Sequence, residues 1–161
     1  MLTTDALLHL AATAEENGDF DRMRQCYERG AALGDADCLQ ALGYMYDIGE
    51  GVLVDQDLAM KLYRRAWRRG SQSAANNIAV LYREQGKPAT MFRWFQRLAS
   101  MNDGSGHLEV AKCYLGGIGV RKDVQAALRH LASAVQSTSI SEYEVEEARA
   151  LLHQQRPHLI K

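Results

Sequence analysis

The chain has 161 residues, 47% hydrophobic and 24% charged, with a formal net charge of −1. That is the balance of a soluble globular protein with a substantial core, and a pI near 6.5 without a recognised binding motif argues against nucleic acid as its partner. No window approaches the ~20 apolar residues of a membrane span. Met1 to Asn17 do not read as a secretory leader, because Asp5 precedes the short apolar stretch and Glu15 and Glu16 follow it.

Only two prolines interrupt the sequence, and no run alternates Val, Ile and Thr between turn residues, so the predicted class is all-α. Apolar residues recur with helical spacing in pairs of segments. First helices align at Leu10, Leu42, Ile78 and Val110, each followed by a small residue (Ala11, Gly43, Ala79, Ala111) that lets a neighbouring helix approach. Second helices align at Tyr27, Tyr63, Phe95 and Leu131, at spacings of 36, 32 and 36 residues. Cys26, Leu62, Trp94 and His130 precede these positions, and Ala31, Trp67, Ala99 and Val135 lie four residues beyond, giving the stripe of a helix packed on its neighbours.

The predicted order is a hairpin over 1–34, a repeat over 35–70, a short-loop repeat over 71–102, a repeat over 103–138, and a capping helix with tail over 139–161. The two longer repeats superpose at an offset of 68 residues: Tyr46, Gly49, Gly51, Val52, Asp55 and Ala59 return as Tyr114, Gly117, Gly119, Val120, Asp123 and Ala127. The other two turn through Asn17-Gly18-Asp19 and Glu84-Gln85-Gly86-Lys87-Pro88, four residues shorter, as surface connections allow. Near the end, Ser141 and Glu144 have capping-box spacing, Val145, Ala148, Leu151 and Leu152 mark one apolar face, and Pro157 stops the helix. A period in the thirties predicts stacked helical hairpins with a closing cap.

Leu42-Gly43, Tyr46, Gly49, Gly51, Val52, Asp55, Ala59, Tyr63, Ala66 and Gly70 together resemble the Sel1-like repeat family, relatives of tetratricopeptide repeats. The pattern returns more weakly at Ala111, Tyr114, Gly117, Gly119, Val120, Asp123, Ala127 and Ala134, so the resemblance covers about residues 20–136. It implies a right-handed α-α superhelix, a short solenoid, with a scaffold or adaptor role, commonly in bacteria, and supplies no catalytic residue. In such a stack the first helix of each pair lines the concave face. That places Asp37, Gln40, Tyr44 and Asp47, then Ser73, Asn76, Val80 and Arg83, then Ser105, Leu108, Lys112 and Leu115 away from the core. Asp37, Gln40, Tyr44, Asp47, Asn76, Val80, Arg83 and Lys112 are the predicted partner-binding residues. Gln40 and Asn76 could hydrogen-bond an extended peptide backbone, and Tyr44 adds apolar area with a hydroxyl. The Lys and Asn placements by which some tetratricopeptide domains clamp a C-terminal carboxylate are missing.

Charge is segregated along the chain. Residues 1–57 carry net −9, residues 58–101 carry net +8, and residues 102–161 balance. Arg64 with Arg68, and Arg65 with Arg69, are neighbours on one helix face whose repulsion costs about 0.2–0.5 kcal/mol each. Three explanations stay open: pairing with acids of the first hairpin across the stack, an acidic protein partner, or nucleic acid, against which the pI counts. No catalytic residue, cofactor site or metal site is predicted. The glycine pairs follow no strand and lead into no Lys-Ser/Thr, the five histidines are scattered, and His130 stands at a packing position. Three cysteines without CxxC spacing fit reduced thiols, hence a cytoplasmic location. The expected function is a non-enzymatic adaptor that binds a protein or peptide, with an acidic partner in view. The alternatives are an immunity protein that neutralises a bacterial toxin and, last, an enzyme with an unrecognised site; head-to-tail self-association is also open.

Overall fold

A computed structural model describes residues 2–155; Met1 and residues 156–161, including the predicted stop at Pro157, lie outside the described residues. Among the described residues the chain forms nine helices and no strand. They are α1 (Thr4–Glu16), α2 (Phe20–Ala32), α3 (Ala36–Ile48), α4 (Gln56–Arg68), α5 (Gln72–Glu84), α6 (Pro88–Ser100), α7 (Gly104–Gly116), α8 (Val124–Gln136) and α9 (Glu142–Gln155). The first eight are each 13 residues long, so the repeats differ in their loops and not in their helices.

Helix starts are set by aspartates. Asp19, Asp35, Asp55, Asp103 and Asp123 each accept a hydrogen bond from the backbone N–H three residues on, at 2.6–3.1 Å. Each satisfies a donor that the first turn leaves without an intrahelical partner, and each places negative charge at the positive end of the helix dipole. Part of the acidity of residues 1–57 is therefore capping rather than recognition. Hydroxyls do the same for α1, α5 and α9, where Thr3, Ser71 and Ser141 accept from the N–H three residues on, and α6 starts with Pro88 behind Lys87, which makes no side-chain cap bond; proline is preset for a first helical turn.

The two long loops are built alike. Gly49 and Gly117 end α3 and α7 in the left-handed conformation, at φ 79° and 68°. The Asp55 and Asp123 N–H groups then donate back to the carbonyls of Tyr46 and Tyr114, at 2.8 and 3.1 Å. Gly51 and Gly119 also have positive φ, 66° and 71°, but their second role is contact. A Cβ on Gly51 would lie 2.2 Å from Cβ of Phe20, and one on Gly119 would lie 2.1 Å from the Pro88 carbonyl oxygen. Phe20 and Pro88 are the first residues of α2 and α6. In both cases the loop lies directly on the start of the preceding pair's second helix.

The chain divides into two compact units, with the boundary inside α5 between Ile78 and Ala79. In the first, α1 to α4 pack in sequence on Leu7, Met23, Leu39, Met45 and Tyr63, all about 1% exposed or less. Gly43 meets the Tyr63 ring directly: an added Cβ would sit 2.8 Å from it. In the second unit α6, α7, α8 and α9 pack in sequence, and α9 also reaches α7. Ala148 of α9 is fully buried with Leu108, Ala111, Ala127, Leu131 and Ala134, and Leu151 and Leu152 pack against that cluster. The capping box forms: the Glu144 N–H donates to Ser141 Oγ at 3.3 Å and the Ser141 N–H donates to Glu144 Oε2 at 3.1 Å. Ser141→Ala is expected to lower the stability of this unit by about 1 kcal/mol, read as a shift in urea midpoint at unchanged m-value.

Candidate functional site

Within the first unit, α1, α2, α3 and the start of the α3–α4 loop surround an open concavity of about 300 Å³. Gln40, Ala41, Tyr44, Met45 and Ile48 of α3 form one wall; Glu15 of α1, Met23 and Tyr27 of α2, and Glu50 of the loop complete it. Tyr44 is 45% exposed and Ile48 52%, so this wall presents apolar area to solvent. Tyr27, expected as a core aromatic, is only half-buried and shows its phenol here. Burial first, then Glu15, Cys38 and Glu50, push that phenol above its ordinary pKa, so it stays a neutral donor.

The predicted binding residues divide. In the first unit, Asp37, Tyr44 and Asn76 are exposed and Gln40 is half-buried, and Gln40 and Tyr44 come together in the concavity. Asp47 does not face away from the core. Its Oδ2 accepts a hydrogen bond from the Tyr63 hydroxyl at 3.1 Å, and Oδ1 accepts one from Gln56 Nε2 at 3.5 Å, so it ties α3 to α4. In the second unit Val80 is half-buried and Arg83 is exposed at the end of α5. Lys112 is held between Glu109 of its own helix at 2.9 Å and Glu147 of α9 at 2.8 Å. Leu108 is fully buried and Leu115 packs on the same cluster, not on an open face, because α9 lies against them.

Two of the arginines have structural work. Arg65 Nη2 donates to the Ala31 carbonyl at 3.5 Å, and the Arg69 guanidinium lies against the turn at Gly34. Both cover the C-terminal end of α2, where a cation complements the helix dipole. In the second unit Arg97 stacks over the Trp94 ring at 4.3 Å, a cation–π contact that keeps its stem against the helix.

The chemically reactive side chains are occupied as well. Cys26, Cys38 and Cys113 are buried, free thiols. Burial, aided by Asp35, pushes Cys38 up to about 12, and burial with Glu109 pushes Cys113 to about 11, so both stay protonated and weakly nucleophilic at neutral pH. Among the described residues no three His, Cys, Asp or Glu side chains gather in a metal-holding group.

One cluster was not legible from sequence: His107 of α7 and His130 of α8 face each other, Nδ1 to Nδ1, at 2.9 Å, with Tyr114 stacked 5.9 Å from His130. One imidazole donates to the other, which requires at least one of the two facing nitrogens to be unprotonated. Burial lowers both pKa values; His107 and Arg129 lower His130 further, while Asp103 partly offsets the shift at His107. With the folded pKa below the unfolded one, the unfolded chain binds more protons between the two values. Stability is therefore expected to be full above about pH 6.5 and to fall as pH drops below it. His130→Leu, which copies Leu62 at the matching position, should flatten the thermal-midpoint profile between pH 7 and 5; an unchanged slope would remove the pair from the account.

Repeated helical hairpins whose loops reuse one set of glycines and aspartates define a helical-repeat protein. The family model described as Sel1 repeat matches residues 36–71, 92–103 and 105–138, together a little over half of the chain. The chain belongs to the Sel1 repeat family. Among solved structures, a Sel1 repeat protein from Oxalobacter formigenes is 22% identical, with a TM-score of 0.81 over 95% of this chain and 63% of that one. A protective antigen present in uropathogenic Escherichia coli strains, displaying an SLR fold, is also 22% identical, with a TM-score of 0.77 over 95% of this chain and 33% of that one. The fold is thus the all-α superhelical repeat fold of these proteins, and the chain spans less than two thirds of the length of either. No curated protein sequence matches it significantly.

Proposed function

We propose that the chain is a non-enzymatic binding module that holds a protein or peptide partner against the exposed wall of α3. The observation that carries this is the concavity of about 300 Å³ in which the Gln40 amide and the Tyr44 ring stand side by side. An amide beside an amphipathic ring suits an extended backbone, and tyrosine is enriched where binding energy concentrates. A reading without chemistry is supported by what the recurring residues do: Gly49, Gly51, Asp55 and Tyr63 are each committed to a turn, a helix cap or a buried contact. Adaptor work in a bacterial cytoplasm is the setting we propose, consistent with three buried thiols.

A second reading, an inhibitor of a cognate toxin, is favoured by the −9 and +8 segments, since dedicated inhibitors use large charge-complementary faces. The two part on one property. An inhibitor silences an activity when it binds; an adaptor leaves its partner active.

The test is Gln40→Ala with Tyr44→Ala against a partner recovered from the native cell. The expected loss is at least tenfold in affinity. A change below about 0.5 kcal/mol, the range of neutral surface substitutions, would move the binding face elsewhere.

A further inference from the structure

The lining of the concavity carries charge of one sign. Its lining includes two carboxylates, Glu15 and Glu50, and no cation. Neither is in a salt bridge among the described residues, whereas Asp21 and Glu28 of α2 share Arg24. The elements that build it all lie in residues 1–57, the segment of net −9. Tyr27, Tyr44 and Ile48 line the same concavity as the two carboxylates. Both carboxylates act on Tyr27, so their negative field falls on one place.

We propose, resting on the reading of this concavity as the binding face, that it accepts a cationic side chain: a lysine or arginine carried on an extended segment of the partner. The chemistry of each wall fits that occupant. A long basic side chain lays its methylene stem along apolar surface and keeps its charged head free, so Ile48 receives the stem. The rings of Tyr27 and Tyr44 attract the cation through their faces, and the two carboxylates neutralise it. Gln40 then meets the backbone on either side. A volume of about 300 Å³ has room for one long side chain and is at the bottom of the range for a free small-molecule ligand. The acidic partner suggested by the arginines of α4 is replaced, at this face, by a basic one.

The experiment is selection from a random peptide library displayed on phage, with the whole chain as bait. The selected peptides are then titrated, as labelled synthetic peptides, against the native chain, the Glu15→Gln/Glu50→Gln double variant and Tyr44→Ala. Circular dichroism checks that each variant stays folded, and light scattering at low and high salt follows the mass of the native chain. The expected result is that the peptides share a lysine or arginine whose replacement by alanine weakens binding about tenfold. The double variant should lose as much, and raising salt should weaken the native chain more than the double variant. Peptides without a basic residue that nevertheless need Tyr44 would overturn the charge assignment and leave the binding face standing. No selected peptides, or peptides indifferent to both variants, would overturn the face and the charge together. A salt-sensitive dimer abolished by the double variant would also overturn the proposal, because the cation would then come from a second copy of this chain.

Discussion

Gly119→Ala is expected to lower the stability of the second unit by about 2–5 kcal/mol, while Gly86→Ala in the same unit costs only about 1–2 kcal/mol. Both glycines have positive φ, 71° and 66°, so both substitutions carry the strain of a side chain in the left-handed region. They differ in what the new methyl meets. Around Gly86 there is nothing within 4 Å, whereas at Gly119 the Cβ would fall 2.1 Å from the Pro88 oxygen and 2.4 Å from its carbonyl carbon. Those are backbone atoms at the first turn of α6, and they cannot rotate away. The α7–α8 loop would have to lift from α6, taking with it the Asp123 cap that starts α8. Urea unfolding of both variants checks this; equal losses would mean that the loop is held by its own φ angles and not by α6. Gly51→Ala, facing Phe20, should behave like Gly119→Ala in the first unit.

Tyr63→Ala is expected to cost about 3–5 kcal/mol, the range for deleting a buried aromatic side chain. Tyr63 is fully buried, its ring lies on Gly43, and its hydroxyl donates to Asp47. Burial first, then Asp47, raises its pKa, so the phenol is a neutral donor throughout the physiological range. Tyr63→Phe separates the two contributions: it keeps the ring and removes one hydrogen bond to a charged acceptor, for about 1.5–3 kcal/mol. The comparison also bears on binding. Tyr63 and Asp47 fix α3 against α4 within one turn of Tyr44, and a phenylalanine ring keeps that packing. A Tyr63→Phe protein that remains folded should therefore bind with less than a twofold change. A larger loss would mean that α3 needs that hydrogen bond to present its outer wall.

The helices and their turns were legible because their signals are local. A glycine that must take positive φ, an aspartate that must cap, and an apolar residue every third or fourth position act within a few residues of themselves. Gly49 and Gly117 take the left-handed turn conformation, and Asp55 and Asp123, legible only as recurring residues, cap the helices that follow. What those loops touch was not legible. Gly51 meets a phenylalanine and Gly119 a proline, two residue types with no shared pattern, and the fit is of main chain to helix start. The same limit hid the His107–His130 pair, whose members lie 23 residues apart on different helices.

The lining of the candidate concavity was half legible. Gln40 and Tyr44 follow from helix phase, but phase alone says which way a residue points and not what lies opposite. Asp47 was assigned outward although α4 supplies it with a hydroxyl. Leu108 was assigned outward although α9 buries it. A signal existed there: the matching positions hold Gln40 and Asn76, so a leucine in the last repeat announces a covered face. Tyr27 gave no such warning. It occupies the position of Tyr63 and Phe95, yet it is half-buried and forms part of the concavity floor. Glu15 and Glu50 stood apart from other acids only once the lining was known.

Amide hydrogen exchange of the chain, measured residue by residue with and without a bound partner segment, decides whether the outer wall of α3 is the binding face. Protection is expected to rise at Gln40, Tyr44 and Ile48 on α3, with smaller changes around Tyr27 and Glu50. Protection confined instead to the arginine-bearing helices α4 and α6, with α3 unchanged, would contradict it.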